Sequence, residues 1–447
     1  MDISLFKEEL FKEAKKNGFE ECEIFYSDAE SLSLNIYEGE VEKYKLNNAF
    51  GLSFRGKING KMGYSYTEIL DKDAISMLIN NAKGAAIAIE NDDVQFIYEG
   101  DKEYKNIDYY KKELDSIKPD EYIKLALEME QECKKQCDKV VNFGGCGIGY
   151  GKSSYGIMNS KGLDLKSSRN SLTAYVVPII EDGDQKYDGM GYVVAKKLGD
   201  IEPKKLAKQG LEEALSKVGG KSIPSGKYKI IINNEAMVSL LGTFDSIFDA
   251  EQAQKGLSLL KGKEGEVIAS NIVTLVDDPH LKDGLGSCCF DDEGVATYKK
   301  EIISNGKLNT LLYNLKTAHK AGVKSTANGF KSSYASIVGT SATNFYINPG
   351  KKSFEELCED VKDGVILTEF AGLHSGASSV TGDFSLAAKG FMIENGKKTF
   401  PIEQITVAGN FFTLLKDIEE VGSDLKFPMS SIGCPSVIIK ELSIAGK

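Results

Sequence analysis

Apolar residues recur at helical spacing near the start of the chain. Leu5, Phe6, Leu10, Phe11 and Ala14 share one face of a helix predicted over Ser4–Asn17, and Gly18 stops it. The period then shortens to two, and the pattern predicts short strands at 21–26, 31–37, 42–46, 50–55 and 61–66. Glu38-Gly39 and Asn59-Gly60 between them read as hairpin turns. A second helix is expected over 73–89, and a third over 119–137, with Tyr122, Leu125, Ala126, Met129 and Cys133 on its apolar stripe. Between them, 92–118 is polar and weakly periodic, and reads as a linker or loop excursion. Strands resume over 140–194, and a helix follows at 203–217.

The sharpest punctuation runs from Gly219-Gly220 to Pro224-Ser-Gly226. It divides the chain into an N-terminal region, 1–220, and a C-terminal domain, 221–447; the first could split again into 1–90 and 119–220. Beyond it, Tyr228–Ile232 reads as a strand. Met237, Leu240, Leu241, Phe244, Ile247 and Phe248 predict one amphipathic helix, opened by Asn233 or Asn234 and closed by Lys255-Gly256. A further helix is expected over 311–320. Val365–Leu367 and Phe384–Gly390 read as strands, and Phe391–Ile393 runs into the hairpin signal Glu394-Asn395-Gly396. The fold class is α+β: a mixed α/β N-terminal region followed by a β-rich C-terminal domain.

Composition narrows the function. A chain of 447 residues, 41% hydrophobic and 27% charged, is long enough for two or three domains. A net charge of −11 argues against a nucleic-acid surface, and Arg55 and Arg169 are the sole arginines for bidentate phosphate contacts. The first residues, Met1–Glu9, have neither a basic segment nor a long apolar one, so no secretory leader is expected. No apolar run reaches the roughly 18 residues of a membrane span. Eight cysteines scattered through a core-forming chain suit reduced thiols, so a cytoplasmic location is expected.

Local motifs add little chemistry. Gly145, Gly147, Gly149 and Gly151 imitate a dinucleotide fingerprint, but residues 152–165 read as strand and turn rather than helix. Cys133 and Cys137 are one helical turn apart without a second ligand pair, and Cys288-Cys289 would face opposite sides of an extended segment. His280, His319 and His374 are far apart, and neither H-E-x-x-H nor G-x-S-x-G occurs. The small residues of 372–379 leave a backbone accessible, as in a loop that lies against something.

The segment His374-Ser-Gly-Ala-Ser-Ser-Val-Thr-Gly-Asp-Phe-Ser385, with Gly390 and Ile393-Glu-Asn-Gly396, resembles the C-terminal signature of the TldD/PmbA family, also called modulator of DNA gyrase. Gly51–Tyr66, Val276-Asp-Asp278, Asp291-Asp-Glu-Gly-Val295 and Ser325–Gly329 extend the resemblance along the chain. The family is linked to metal-dependent peptide cleavage. Its zinc-bearing members carry H-E-x-x-x-H on the helix that corresponds to 234–255. Aligned on Leu240-Leu241 and Lys255-Gly256, the ligand positions fall on Gly242 and Ile247 and the base position on Thr243. None of these side chains can ligate zinc or take a proton from water. The resemblance therefore implies the PmbA/TldE type, with no catalytic or metal residue and no cofactor of its own.

In that picture a TldD-type partner carries the zinc, which polarises the scissile carbonyl of an unfolded peptide while the partner's glutamate activates water. This chain would hold the peptide, with His374, Ser378, Ser379, Thr381 and Asp383 as candidate substrate contacts. A heterodimer is expected, a homodimer stays open, and neither nucleic acid nor membrane is a partner. Two rival readings are a non-catalytic peptide-binding or scaffold protein, and a homodimeric hydrolase with a non-local metal site.

Overall fold

The structure, a computed structural model, describes residues 1–88 and 94–447. Asp2 caps α1 (Ile3–Lys16) by accepting from the amides of Ser4 and Leu5, and Phe6, Leu10 and Ala14 bury its inner face. There follow β1 (Glu21–Tyr37), β2 (Glu40–Ile58), β3 (Lys61–Thr67), α2 (Lys72–Ala88), α3 (Pro119–Gln136), β4 (Val140–Asn159), β5 (Asp164–Asp182), β6 (Gln185–Asp188), β7 (Gly191–Ala195) and α4 (Pro203–Ser216). The seven strands make one sheet in the order β3-β2-β1-β4-β5-β6, with β7 also on β5.

Alternation along β1 divides the sheet's two faces. Ile24 and Tyr26 pack with Phe6 and Leu10 of α1 and Leu78 of α2. Leu32, Leu34 and Ile36 continue the same face under Tyr122, Ala126 and Met129 of α3. Phe25 points the other way and clusters with Cys289 and Phe290 of the C-terminal part.

The strands expected at 21–26 and 31–37 are one strand, and those at 42–46 and 50–55 are another. Polar Ser27–Glu30 resembles a break, yet Ser27 stands opposite Gly51 and Tyr155, and Glu30 opposite Asn48 and Lys152. With a partner strand on each side, every backbone group is satisfied and polar side chains do not end the strand. The four glycines Gly145–Gly151 lie inside β4. Residues 94–118 hold a single short turn of 3₁₀ helix, Lys112–Ser116, and lie against the sheet with Ile97 and Leu114 buried. The predicted helix end at Ile89 and the first two residues of the linker, 92–93, lie outside the described residues.

The C-terminal part comprises β8 (Gly226–Ile232), α5 (Asn234–Phe244), α6 (Ala250–Gln254), β9 (Leu275–Asp277), β10 (Lys300–Ser304), β11 (Lys307–Leu308), α7 (Leu315–Ala321), β12 (Gly329–Phe330), β13 (Gly339–Thr340), β14 (Phe345–Ile347) and α8 (Phe354–Val361). It continues with β15 (Gly364–Ala371), α9 (Leu373–Gly376), β16 (Asp383–Glu394), β17 (Lys397–Asn410), α10 (Phe411–Lys416), β18 (Ile418–Val421), β19 (Ile432–Gly433) and β20 (Val437–Ala445). Five strands pair in the order β17-β16-β15-β8-β20, and β20 returns to β17, which closes the ring. Asn395 and Gly396, at φ 52° and 75°, make the tight β16–β17 turn that the Asn-Gly pair predicts. The run Ile230–Ile232 is apolar throughout because both faces of β8 are covered. Ile230 and Ile232 join Met237, Leu240 and Phe244 of α5, whereas Ile231 meets Leu357 and Val361 of α8.

The single helix expected to run to Lys255-Gly256 is instead broken. α5 ends at Phe244, a 3₁₀ turn spans Asp245–Phe248, and Asp249 caps α6 by accepting from the amide of Glu251 at 2.7 Å. The apolar periodicity runs through the break because Phe244, Ile247 and Phe248 all enter one core. The helix expected over 311–320 starts at Leu315, where Asn314 caps it by accepting from the amide of Thr317 at 2.9 Å.

A second C-terminal sheet, β11-β10-β9-β14-β19, buries a polar knot. Asp277, fully buried, accepts from Lys300 Nζ and Asn328 Nδ2 at 2.8 Å each and from the amide and hydroxyl of Thr343 at 2.6 Å each. A second polar group joins the N-terminal sheet to the C-terminal part. Arg55 of β2 pairs with Glu23 of β1, both buried. Lys331 donates to Ser53 Oγ at 2.8 Å and its amide donates to Asp292 at 2.8 Å. Burial pushes Asp292 up to about 6 and, with Arg55 nearby, pulls Lys331 down to about 7.

Two outcomes are expected. Asp277→Ala strands the buried ammonium of Lys300 and should cost about 3–5 kcal/mol in denaturant unfolding; most of that loss should return in the double variant with Lys300→Met. Lys331 titrates near pH 7 when folded and near about 10.4 when unfolded. The unfolded chain thus binds the extra proton between these values, so Lys331 destabilises the fold less as pH rises. The stability of the wild type relative to Lys331→Met should climb from pH 7 to pH 10. A flat difference across that range would count against the buried amine.

Candidate functional site

Strand β8 ends at Ile232, and the chain leaves the ring there to start α5. Asn233 accepts from the amide of Ala236 at 2.9 Å, and its own amide donates to the carbonyl of Leu367 at 3.0 Å. The parallel β8–β15 pairing therefore stops at Ile232 and Leu367. β15 runs on to Ala371, paired with β16 on one side. Among the described residues no strand pairs with Thr368–Ala371 on the other side.

That free edge borders a cleft of about 950 Å³ between the two halves of the chain. The N-terminal half contributes Asp188, Met190 and Tyr192, with Glu213 and Lys217 from the end of α4. Opposite stand Glu235, Ser239, Gly242 and Thr243 of α5, Thr368–Phe370 of β15, and Lys426 with Met429 and Ile432. Tyr192 donates to Glu235 Oε1 at 2.9 Å across the cleft, and Lys426 binds the same oxygen. Burial and the Glu235 carboxylate push the Tyr192 hydroxyl well above the ordinary phenol range. Lys217 lies 2.9 Å from Glu213 and 3.6 Å from Glu369. Burial lowers its affinity for a proton, but the carboxylates outweigh that and hold it above the ordinary lysine value. The cleft thus has ion-paired walls, an apolar floor and a strip of unpaired strand.

Of the three positions that the resemblance aligns with the zinc motif, two fall here, and none of the three residue types is a zinc ligand. Gly242 and Thr243 line the cleft. A Cβ on Gly242 would meet only the end of the Ile432 side chain, at 3.1 Å, and Ile432 would have to shift slightly to admit it. Thr243 donates its hydroxyl to the carbonyl of Ser239 at 2.9 Å, and Ile247 is 1% exposed in the core. Among the described residues no three His, Cys, Asp or Glu side chains are placed to hold a metal ion. Cys434 is fully buried, which raises its thiol pKa far above the ordinary range. The three histidines stand in separate surroundings. His280 sits between Lys105 at 2.9 Å and Thr297 at 3.2 Å, His319 meets the Phe96 ring edge-on at 4.8 Å, and His374 is exposed on α9.

The five candidate contacts lie in the loop that β15 enters through Gly372, at φ 81°. Ser378 donates its amide to the carbonyl of Asp383 at 2.9 Å, and Gly382 donates back to Ser378 at 2.7 Å. Thr381 Oγ1 accepts from the amide of Asp383 at 3.3 Å. Asp383 accepts from the side chain of Asn410 at 2.9 Å, which with Thr381 holds its carboxyl below the usual range. His374, Thr381 and Asp383 are exposed and Ser378 and Ser379 half-buried; none of the five lines the cleft. The cleft residues Tyr192, Glu235 and Lys426 carry no local signal, because each belongs to an ordinary strand, helix or loop and only folding brings them together.

Family models match the chain in three blocks: PmbA/TldA metallopeptidase domain 1 at 22–86, the central domain at 112–218 and the C-terminal domain at 225–446. The metalloprotease PmbA of Escherichia coli O157:H7 is 29% identical over 435 residues, 95% of this chain and 92% of that protein. The crystal structure of a candidate modulator of a DNA gyrase from Thermotoga maritima MSB8 superposes with a TM-score of 0.92 and 34% identity, covering 99% of this chain and 100% of the other. TldE from Thermococcus kodakarensis shares the fold at a TM-score of 0.90 and 21% identity, with 99% and 100% covered. With the architecture and the sequence matched from end to end, the chain belongs to the PmbA/TldD metallopeptidase family.

Proposed function

We propose that this chain is the non-zinc subunit of a two-subunit peptidase, holding an unfolded peptide while a TldD-type partner supplies the zinc. One observation carries the reading. The chain has a metallopeptidase fold with an open cleft, yet the positions aligned with the zinc ligands are Gly242 of α5 and Ile247 of the turn that follows it, and the base position is Thr243. The free edge of β15 suits an extended peptide, whose backbone would pair with Thr368–Ala371 as an added strand. Continued in that direction, the peptide reaches Gly372 and the loop that carries His374, Ser378 and Ser379. Thr381 and Asp383 hold the loop's shape through the bonds to the Asp383 amide and to Asn410. A cytoplasmic location belongs to the same proposal and rests on eight unpaired cysteines.

Three outcomes test it. The purified chain should hold no stoichiometric zinc after dialysis. One zinc per chain, lost on changing any of the three histidines, would favour the homodimeric hydrolase instead. Unfolded casein should be degraded when an H-E-x-x-x-H homologue is added; chelator-sensitive degradation by this chain alone would overturn the assignment.

Finally, Ser378 and Ser379 replaced together by bulky residues, or Thr243→Tyr in the cleft, should slow turnover by the assembled pair by about tenfold or more. A blocked peptide loses several backbone hydrogen bonds of roughly 0.5–1.5 kcal/mol each. Unchanged turnover in well-folded, correctly paired variants would remove the loop or the cleft, respectively, from the substrate path.

A further inference from the structure

The N-terminal sheet and the C-terminal part also border a second cavity, of about 350 Å³, which shares no lining residue with the peptide cleft. Strand register builds its floor. Ser31, Gly151 and Ser171 stand opposite one another across β1, β4 and β5, and Ala29, Ser153 and Arg169 form the parallel row beside them. Alternation from Phe25 puts both rows on the face turned to the C-terminal part, where residues 282–285 and Ser287 close the cavity. A Cβ at Gly151 would meet only the Glu30 carbonyl, at 4.0 Å, so the glycine leaves a gap between two serines. The hydroxyls of Ser31, Ser153 and Ser171 have no hydrogen-bond partner among the described residues.

The charges around this floor are unbalanced. Its two carboxylates, Glu30 and Asp283, are already paired, with Lys152 at 3.0 Å and Lys196 at 2.6 Å. Lys111, Arg169 and Lys282 have no ion-pair partner among the described residues. Arg169 is exposed, and its guanidinium makes one long bond, from Nη1 to the carbonyl of Leu285 at 3.4 Å. Asp292 senses the Arg169 charge but is buried and accepts from the Lys331 amide, so it does not cap the guanidinium. Like charges gathered in one recess repel until an anion joins them. An arginine fork flanked by lysines matches the oxygens and double charge of a phosphate monoester. At roughly 30 Å³ per water the cavity holds about a dozen waters, more than a bare phosphate fills, and the free hydroxyls suit a polyhydroxyl body.

We propose that this cavity binds a small sugar phosphate, its phosphate on Arg169 and Lys282 and its hydroxyls over Gly151 between Ser31 and Ser171. The site is independent of the peptide cleft and stands whatever the chain's role in peptide cleavage. Because the floor and the loop come from different halves of the chain, the bound molecule would also tie the two halves together.

Titration calorimetry of the full chain with ribose 5-phosphate, in a phosphate-free buffer, should show one site. Ribose and inorganic phosphate should each bind about tenfold or more weakly. Two variants probe the two ends of the site. Arg169→Met removes the fork without stranding a carboxylate, and Gly151→Leu fills the gap between the serines. Circular dichroism would establish that both are folded, and each should weaken ribose 5-phosphate binding by about tenfold or more. Equal binding of ribose, undiminished binding to either folded variant, or no binding by the wild type at millimolar concentration would each overturn the site. Inorganic phosphate binding as tightly as ribose 5-phosphate would overturn the sugar part and leave an anion pocket alone.

Discussion

The point at which β8 stops and β15 continues governs the arrangement of the whole site. Two parallel strands share hydrogen bonds through Ile232 and Leu367, after which one becomes the helix α5 and the other runs on with an open edge. An unpaired strand edge is normally a hazard that proteins cover or blunt. Here its first residues, Thr368–Phe370, line the cleft across from the N-terminal half. On the far side, closure of the ring pairs Thr406–Ala408 of β17 with Ser443–Ala445 of β20. The helix α5 therefore starts beside the open edge by construction.

Holding the cleft in shape falls to contacts that cross between the two halves. Tyr192 reaches Glu235 over the opening, and Lys217 reaches Glu369. Away from the cleft, the apolar cluster of Phe25, Cys289 and Phe290 is flanked by Arg55, Glu23, Asp292 and Lys331. Charges there are expensive to bury and are tolerated because most are paired or bonded to the backbone. Such a junction gives orientation more than affinity, since a misplaced half would leave those groups unmatched. A purely apolar contact could slide; this one cannot without breaking specific bonds.

The core of α5 and the wall of the cleft depend on different residues. The apolar side of α5 is set by Met237, Leu240, Leu241 and Phe244, which make the core whether or not a metal is bound. The cleft side carries Ser239, Gly242 and Thr243, which the fold does not need. The same separation explains why the helix can break at Asp245–Asp249 without disturbing the packing, as Ile247 and Phe248 stay in the core across the break.

Much of the local structure was legible in the chain. Helix periodicity placed α1, α3 and α4 within a few residues, and the Asn395-Gly396 pair announced its turn. The α+β class also followed from sequence. What sequence misjudged were continuity and breaks. Polar Ser27–Glu30 looked like an end of strand, and only the neighbouring strands make it an interior. The periodicity of 234–255 looked like one helix, because a core counts apolar side chains and not the backbone that delivers them. The cleft, the open edge and the cavity beside Arg169 needed the tertiary structure outright. Each joins residues up to hundreds of positions apart, where local propensity has no reach and only the packing of one half against the other fixes distance and charge.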